Sequence, residues 1–177
     1  MEKQISRKEI YDGKVIHVVC DDIVTDDNIE AKREVVLHNG GACIALNDES
    51  DGKYLLVKQY RYCHEKEMLE FCAGKIEKGE NPDETIIREA EEELGYEVKD
   101  VVKLGYMIPT CGYSSEKIYL YFGKAARKVK QHFDEDEFIN VYKYSFDELK
   151  KMVIDGTLDD GKTIALMYKI ELMGLDK

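Results

Sequence analysis

The stretch GKIEKGENPDETIIREAEEELGY, residues 74–96, decides the fold. Asn81 suits a helix N-cap, and Pro82 suits the first helical position because its missing N–H would have no partner there. Glu84 stands three residues after Asn81, as in a capping box, and Gly95 supplies the stop. The spacing predicts a helix over Pro82–Leu94. At about 100° per residue, Ile86, Ile87, Ala90 and Leu94 are expected on one buried side, with Glu89, Glu92 and Glu93 together on the other. Arg88 precedes Glu92 by four residues and can pair with it. Such a helix is ordinarily a solvated acidic face. Here no lysine is interleaved, and crowded carboxylates are what hard cations such as Mg²⁺ or Mn²⁺ require.

Outward from this helix the chain reads mostly as strands. Lys14–Cys20 and Glu34–Leu37 are β-branched and flank a polar turn at Asp26–Asn28. Gly41–Leu46 is a short apolar run, and Asp51-Gly52 reads as a hairpin turn into Tyr54–Gln59. Glu67–Ala73, Val101–Ile108, Lys117–Phe122 and Phe138–Tyr144 are further strand candidates, and Phe146–Asp155 and Thr163–Leu175 are helix candidates. This order implies an α+β fold with a mixed sheet between helices. The N-terminal β element, 1–38, is too thin to bury a core alone; the rest, 39–177, is expected to form the main domain.

The chain has 177 residues and a formal net charge of −11. That charge argues against nucleic acid or an anionic membrane as partner, while a divalent metal can still bridge an acidic enzyme to an anionic substrate. No signal-like or membrane-spanning apolar run occurs. The five cysteines are odd in number, widely spaced and without a CxxC pair, so neither disulfides nor zinc are indicated. A cytoplasmic location and buried, inert cysteines are expected.

Gly74, five residues, Glu80, seven residues, then Arg88-Glu89-Ala90-Glu91-Glu92-Glu93-Leu94-Gly95-Tyr96 resembles the Nudix box, GX5EX7REUXEEXGU, at every fixed position. Ala90 is smaller than the usual apolar residue there. The resemblance implies the Nudix fold, a mixed sheet sandwiched between helices, and metal-dependent cleavage of a nucleoside diphosphate linked to another group. It implies Glu89, Glu92, Glu93 and the Ala73 carbonyl as ligands of Mg²⁺ (Mn²⁺ being possible), with Arg88 holding the glutamates by charge-assisted hydrogen bonds and Glu80 structural or an outer ligand.

Beyond the box, Gln59-Tyr60-Arg61-Tyr62, Glu70-Phe71-Cys72-Ala73-Gly74 and Lys32-Arg33-Glu34-Val35-Val36 are similar to runs of ADP-ribose pyrophosphatases. So are Asp160-Gly161-Lys162-Thr163 and the acidic run 134–141. By this likeness Glu137, or else Glu135, is the general base, and Arg33, Arg61, Glu70 and Gly112 are candidate substrate contacts. Tyr11 and Tyr113 could stack on a base, and His64 reads as a plain loop residue. One departure is Cys111, which stands where that group carries a proline. The implied reaction is hydrolysis of ADP-ribose to AMP and ribose 5-phosphate; the alternatives are GDP-mannose or another nucleotide sugar, or a Nudix module that senses a nucleotide without cleaving it. The resemblance also implies a homodimer formed through the N-terminal β element.

Overall fold

The computed structural model describes residues 1–132 and 139–176. They form two units, one of residues 1–40 with 108–117 and one of residues 41–107 with 118–177.

The first unit is an antiparallel sheet of β1 (Glu2–Asp12), β2 (His17–Thr25) and β3 (Glu30–Leu37), in that order. Asn28, at φ 59°, makes the polar turn expected between the latter two strands. The sequence pattern misses β1. A strand is recognised by alternation between a buried and an exposed face, and all eleven residues of β1 are exposed. Its pairing with β2 is reinforced by Arg7, whose two donors reach Asp21 at 2.7 Å each, and by Ser6, which donates to Asp22 at 2.7 Å. Residues 108–117 join the unit by accepting from Val36 N at Tyr113 O (2.7 Å) and donating from Ser115 N to Val36 O (2.9 Å).

The second unit is the mixed sheet expected from the sequence. Its strands are β4 (Gly41–Asp48), β5 (Lys53–Arg61), β6 (Lys66–Glu70), β7 (Cys72–Lys75), β8 (Tyr96–Met107), β9 (Ile118–Lys128) and β10 (Asn140–Tyr144). Its helices are α1 (Pro82–Glu89), α2 (Phe146–Asp155) and α3 (Gly161–Met173). The order is β10-β5-β4-β9-β8, with β6 on β5 and β7 on β4. The β4–β9 pair is parallel and the others are antiparallel. Strand β4 is central and buried on both faces, which is why it reads as a continuous apolar run. Ala42, Ile44 and Leu46 pack with Ile86, Ala90 and Leu94 of the α1 side; Cys43 and Ala45 pack with Phe146, Leu149, Leu166 and Ile170 of α2 and α3. Helices therefore cover both faces.

Where one strand is expected over Glu67–Ala73 there are two, broken at Phe71. The Phe71 N–H leaves the ladder and donates to Thr163 Oγ1 at 2.9 Å, after which the chain moves from β5 to pair with β4. Strand β8 begins at Tyr96, earlier than expected, since its register on β9 is irregular and blurs the alternation. All five cysteines are free; Cys43 and Cys72 are buried as expected, but Cys63 and Cys111 sit on exposed turns. Among the described residues, no helix is long and apolar enough to cross a membrane.

Candidate active site

The chain enters the site through β7 and leaves it through α1. Asn81 Oδ1 accepts from Asp83 N and Glu84 N, both at 3.0 Å, and Glu84 accepts from Asn81 N at 3.3 Å. This is the capping box expected from the sequence. Helix α1 runs to Glu89 and continues as a single π turn over Ala90–Leu94, ending at Gly95 with φ 72°. Such turns are rare and often lie at functional sites.

The buried face departs from the expectation at two residues. Ile87 is 44% exposed, and Glu93 is only 3% exposed. Helical geometry explains both. Seven steps of about 100° bring Glu93 back to about 20° from Ile86, so it enters the interior beside the apolar face, while one step carries Ile87 to its edge. Glu93 is thus not grouped with Glu92 opposite the core, but sits between the core and the site.

Arg88 organises the remaining acids. Its Nε and Nη2 donate to the two oxygens of Glu80 at 3.0 and 3.2 Å. Its Nη1 donates to Glu92 at 2.8 Å and lies 2.9 Å from Glu89 Oε1. The hydrogen bond from Arg88 pulls the Glu80 carboxyl down to about 2, and the same carboxylates push the guanidinium pKa upward, the Glu80 contact most. Burial, with the Glu93 charge next, pushes the Cys72 thiol up.

Gly74 has a separate role. A Cβ placed on it would fall 1.9 Å from Glu89 Oε1, so only glycine lets that carboxylate lie against the backbone following Ala73. Among the described residues, no three His, Cys, Asp or Glu side chains converge as a ready metal cluster. The donor chemistry nonetheless fits a hard divalent ion. Glu89 and Glu92 already bring oxygens within 2.9 Å of one point, Arg88 Nη1. Glu93 follows Glu92 in the chain but is buried, and the main chain at Gly74 lies against Glu89.

Arg61 and Glu70 come together in a second ionic cluster. Arg61 Nε and Nη2 donate to Glu70 at 2.6 Å each. Glu70, 1% exposed, also accepts from Lys162, which lies 3.0 Å from Asp160. Burial works to raise the Glu70 pKa, but the Arg61 hydrogen bond and the two cations overcome it and leave it lowered. Arg61 is held protonated by Glu70 first, with Asp160 and Glu93 adding to it against burial. The sequence pattern had no role for Lys162 or Asp160. A signal existed: Lys162 is a cation in the first turn of α3, where the helix dipole disfavours it, so a buried counter-charge is implied.

Arg33 and Gly112 belong to the first unit. Arg33, on β3, donates to Glu2 and to the carbonyl of Lys32, and Gly112 lies in the 108–117 segment on an exposed turn. Tyr11 and Tyr113 are exposed in that unit, and exposed His64 ends a short 3-10 turn in the other. Glu135 and Glu137 lie outside the described residues.

The family model described as NUDIX domain matches residues 37–167. The chain is 34% identical over 174 residues to an ADP-ribose pyrophosphatase of Bacillus subtilis (strain 168), covering 97% of this chain and 93% of the relative. It is 36% identical over 175 residues to a GDP-mannose pyrophosphatase of Yersinia enterocolitica serotype O:8, covering 92% and 90%. A solved structure titled as an ADP compounds hydrolase superposes with a TM-score of 0.84 over 97% of this chain and 93% of the other; at 16% identity it bears on the fold alone.

Proposed function

Because the chain belongs to the Nudix family, we propose that it is a Mg²⁺-dependent hydrolase of ADP-ribose, giving AMP and ribose 5-phosphate. The observation that carries this reading is the gathering of Glu80, Glu89 and Glu92 around Arg88, with Gly74 opened against Glu89. Glu89, Glu92, Glu93 and the Ala73 carbonyl would hold the ion. When bound, a divalent ion supplies charge neutralisation at the diphosphate and polarisation of a water.

The chain's own groups do the rest. Arg88 holds Glu89 and Glu92 in register and balances their mutual repulsion. Glu80 fixes Arg88 from the other side and ties down the loop by accepting from Glu77 N at 3.2 Å. We assign proton abstraction from the attacking water to Glu137, with Glu135 as the alternative, on their place in the acidic run. Arg61 and Arg33 are assigned to substrate phosphate or ribose, since a guanidinium fork binds such oxygens bidentately, and Glu70 and Gly112 are assigned as further substrate contacts. Glu70 acts by orienting Arg61.

GDP-mannose is the second reading. It is favoured by Cys111, which stands where ADP-ribose pyrophosphatases carry proline, and by the similarity to a GDP-mannose pyrophosphatase. A non-cleaving sensor fits less well, because the box keeps every fixed position. Product analysis with ADP-ribose, GDP-mannose, ADP-glucose and NADH decides among these: AMP and ribose 5-phosphate as the preferred products support the first reading, and tight retention of ADP-ribose without product sinks it.

We further propose a homodimer built on residues 1–38, with 39–177 as the catalytic domain. Exposed Ile5, Ile10 and Tyr11 on β1 support this. Light scattering should give twice the 20.4 kDa chain mass, and a monomer after removal of β1; a full-length monomer at micromolar concentration contradicts it.

A further inference from the structure

We infer that Gln131 is a positioning residue for the metal-binding glutamates. The inference rests on the reading of Glu93 as a metal ligand and adds a residue outside the Nudix box to that machinery. The last carbonyls of any helix lack partners within it. Here they are met by three of the four residues that follow β9. Val129 N donates to Gly95 O at 2.8 Å and His132 N to Glu92 O at 3.1 Å. Gln131 Nε2 donates to Glu93 O at 2.6 Å.

The first two bonds come from the backbone, so many sequences could supply them. The third depends on one side chain. It acts on Glu93, the buried acid of the π turn, a helix form that is rarely adopted. The Gln131 side chain also covers Gly95: a Cβ there would lie 2.8 Å from Gln131 Cγ, at a φ of 72° that already favours glycine. The box glycine and Gln131 therefore fit one another. Without the amide, Glu93 loses the contact that fixes its peptide plane, and the direction of its carboxylate is set less firmly. The contact is an outer-sphere one: Gln131 touches neither metal nor substrate.

The test is Mn²⁺ binding by titration calorimetry, with thermal melting, on the full chain and on Gln131→Met, Gln131→Glu, Glu93→Gln and Lys130→Met. An ionised glutamate cannot donate, so both Gln131 variants should bind Mn²⁺ about tenfold more weakly, the low end of what loss of an outer-sphere partner does. Lys130→Met should bind as wild type. Melting temperatures of the Gln131 variants should stay within about 4 °C of wild type, the shift of a mild substitution in a chain this size. If wild type does not bind Mn²⁺, or Glu93→Gln binds it equally well, the metal reading fails and takes this inference with it. If Glu93→Gln loses Mn²⁺ while both Gln131 variants keep wild-type affinity, the Gln131 inference fails alone. A large loss of melting temperature in both variants also overturns it, since Gln131 would then be a strut of the fold.

Discussion

Replacing Gly74 with alanine separates the fold from the site. The added methyl carbon would lie 1.9 Å from Glu89 Oε1 and 2.0 Å from Glu89 Cδ, whereas ordinary contact begins near 3.4 Å. The carboxylate must therefore move by about 1.5 Å, the difference between 3.4 and 1.9 Å. Gly74 is not at positive φ, so the methyl brings no backbone strain, and the three atoms nearest to it all belong to the flexible Glu89 side chain. Stability should fall by only about 1 kcal/mol, the low end for overpacking. Chemistry should suffer much more, because a displacement of about 1 Å at a reacting centre costs about a hundredfold, or about 2.7 kcal/mol of transition-state stabilisation. The assay is kcat/KM for ADP-ribose with Mg²⁺ alongside a thermal melt. Activity within threefold of wild type in a folded Gly74→Ala protein would refute the claim that Glu89 must lie against this backbone. A collapse of stability would show that the backbone, not the side chain, gave way.

Further outcomes follow from the same contacts. Glu80 has its pKa lowered from 4.5 to about 2 by Arg88; its stabilisation is complete above pH 4.5 and is lost as pH falls through about 2. Glu80→Gln should be less stable at pH 7 by about 1–3 kcal/mol, yet lose less melting temperature than wild type between pH 5 and 3; parallel losses would contradict the assignment. Lys162→Met leaves Glu70 buried with Arg61 alone and should cost about 3 kcal/mol, the scale for breaking a buried pair. That is a melting shift of about 6–12 °C, and a shift under 2 °C would mean that Lys162 is dispensable to the cluster.

The helix with its caps, the mixed sheet and the covering of both its faces are legible in the sequence, because each leaves a local mark: Asn81 and Glu84, the apolar run of β4, and the Asp51-Gly52 turn. What is not legible depends on partners distant in the chain. Strand β1 carries no buried face and is recognisable only through β2 and the Arg7–Asp21 pair. The break at Phe71 depends on Thr163, 92 residues away. Arg61 reads as an arginine interrupting apolar residues, but nothing local names Glu70 and Lys162 as the reason it is held there. The resemblance of the box implies a metal-holding role for Glu93, while its burial follows from angular arithmetic that a grouping by chemical type overlooks.

The most direct test of the central claim is product formation from ADP-ribose and Mg²⁺ by wild type and by Glu93→Gln, followed by chromatography. The account predicts AMP and ribose 5-phosphate from wild type, none after chelation, and at least about a hundredfold less from Glu93→Gln, as when one charge-stabilising group is removed. Wild-type protein that cleaves no nucleoside diphosphate derivative with either Mg²⁺ or Mn²⁺, or Glu93→Gln protein that turns over as wild type, would contradict it.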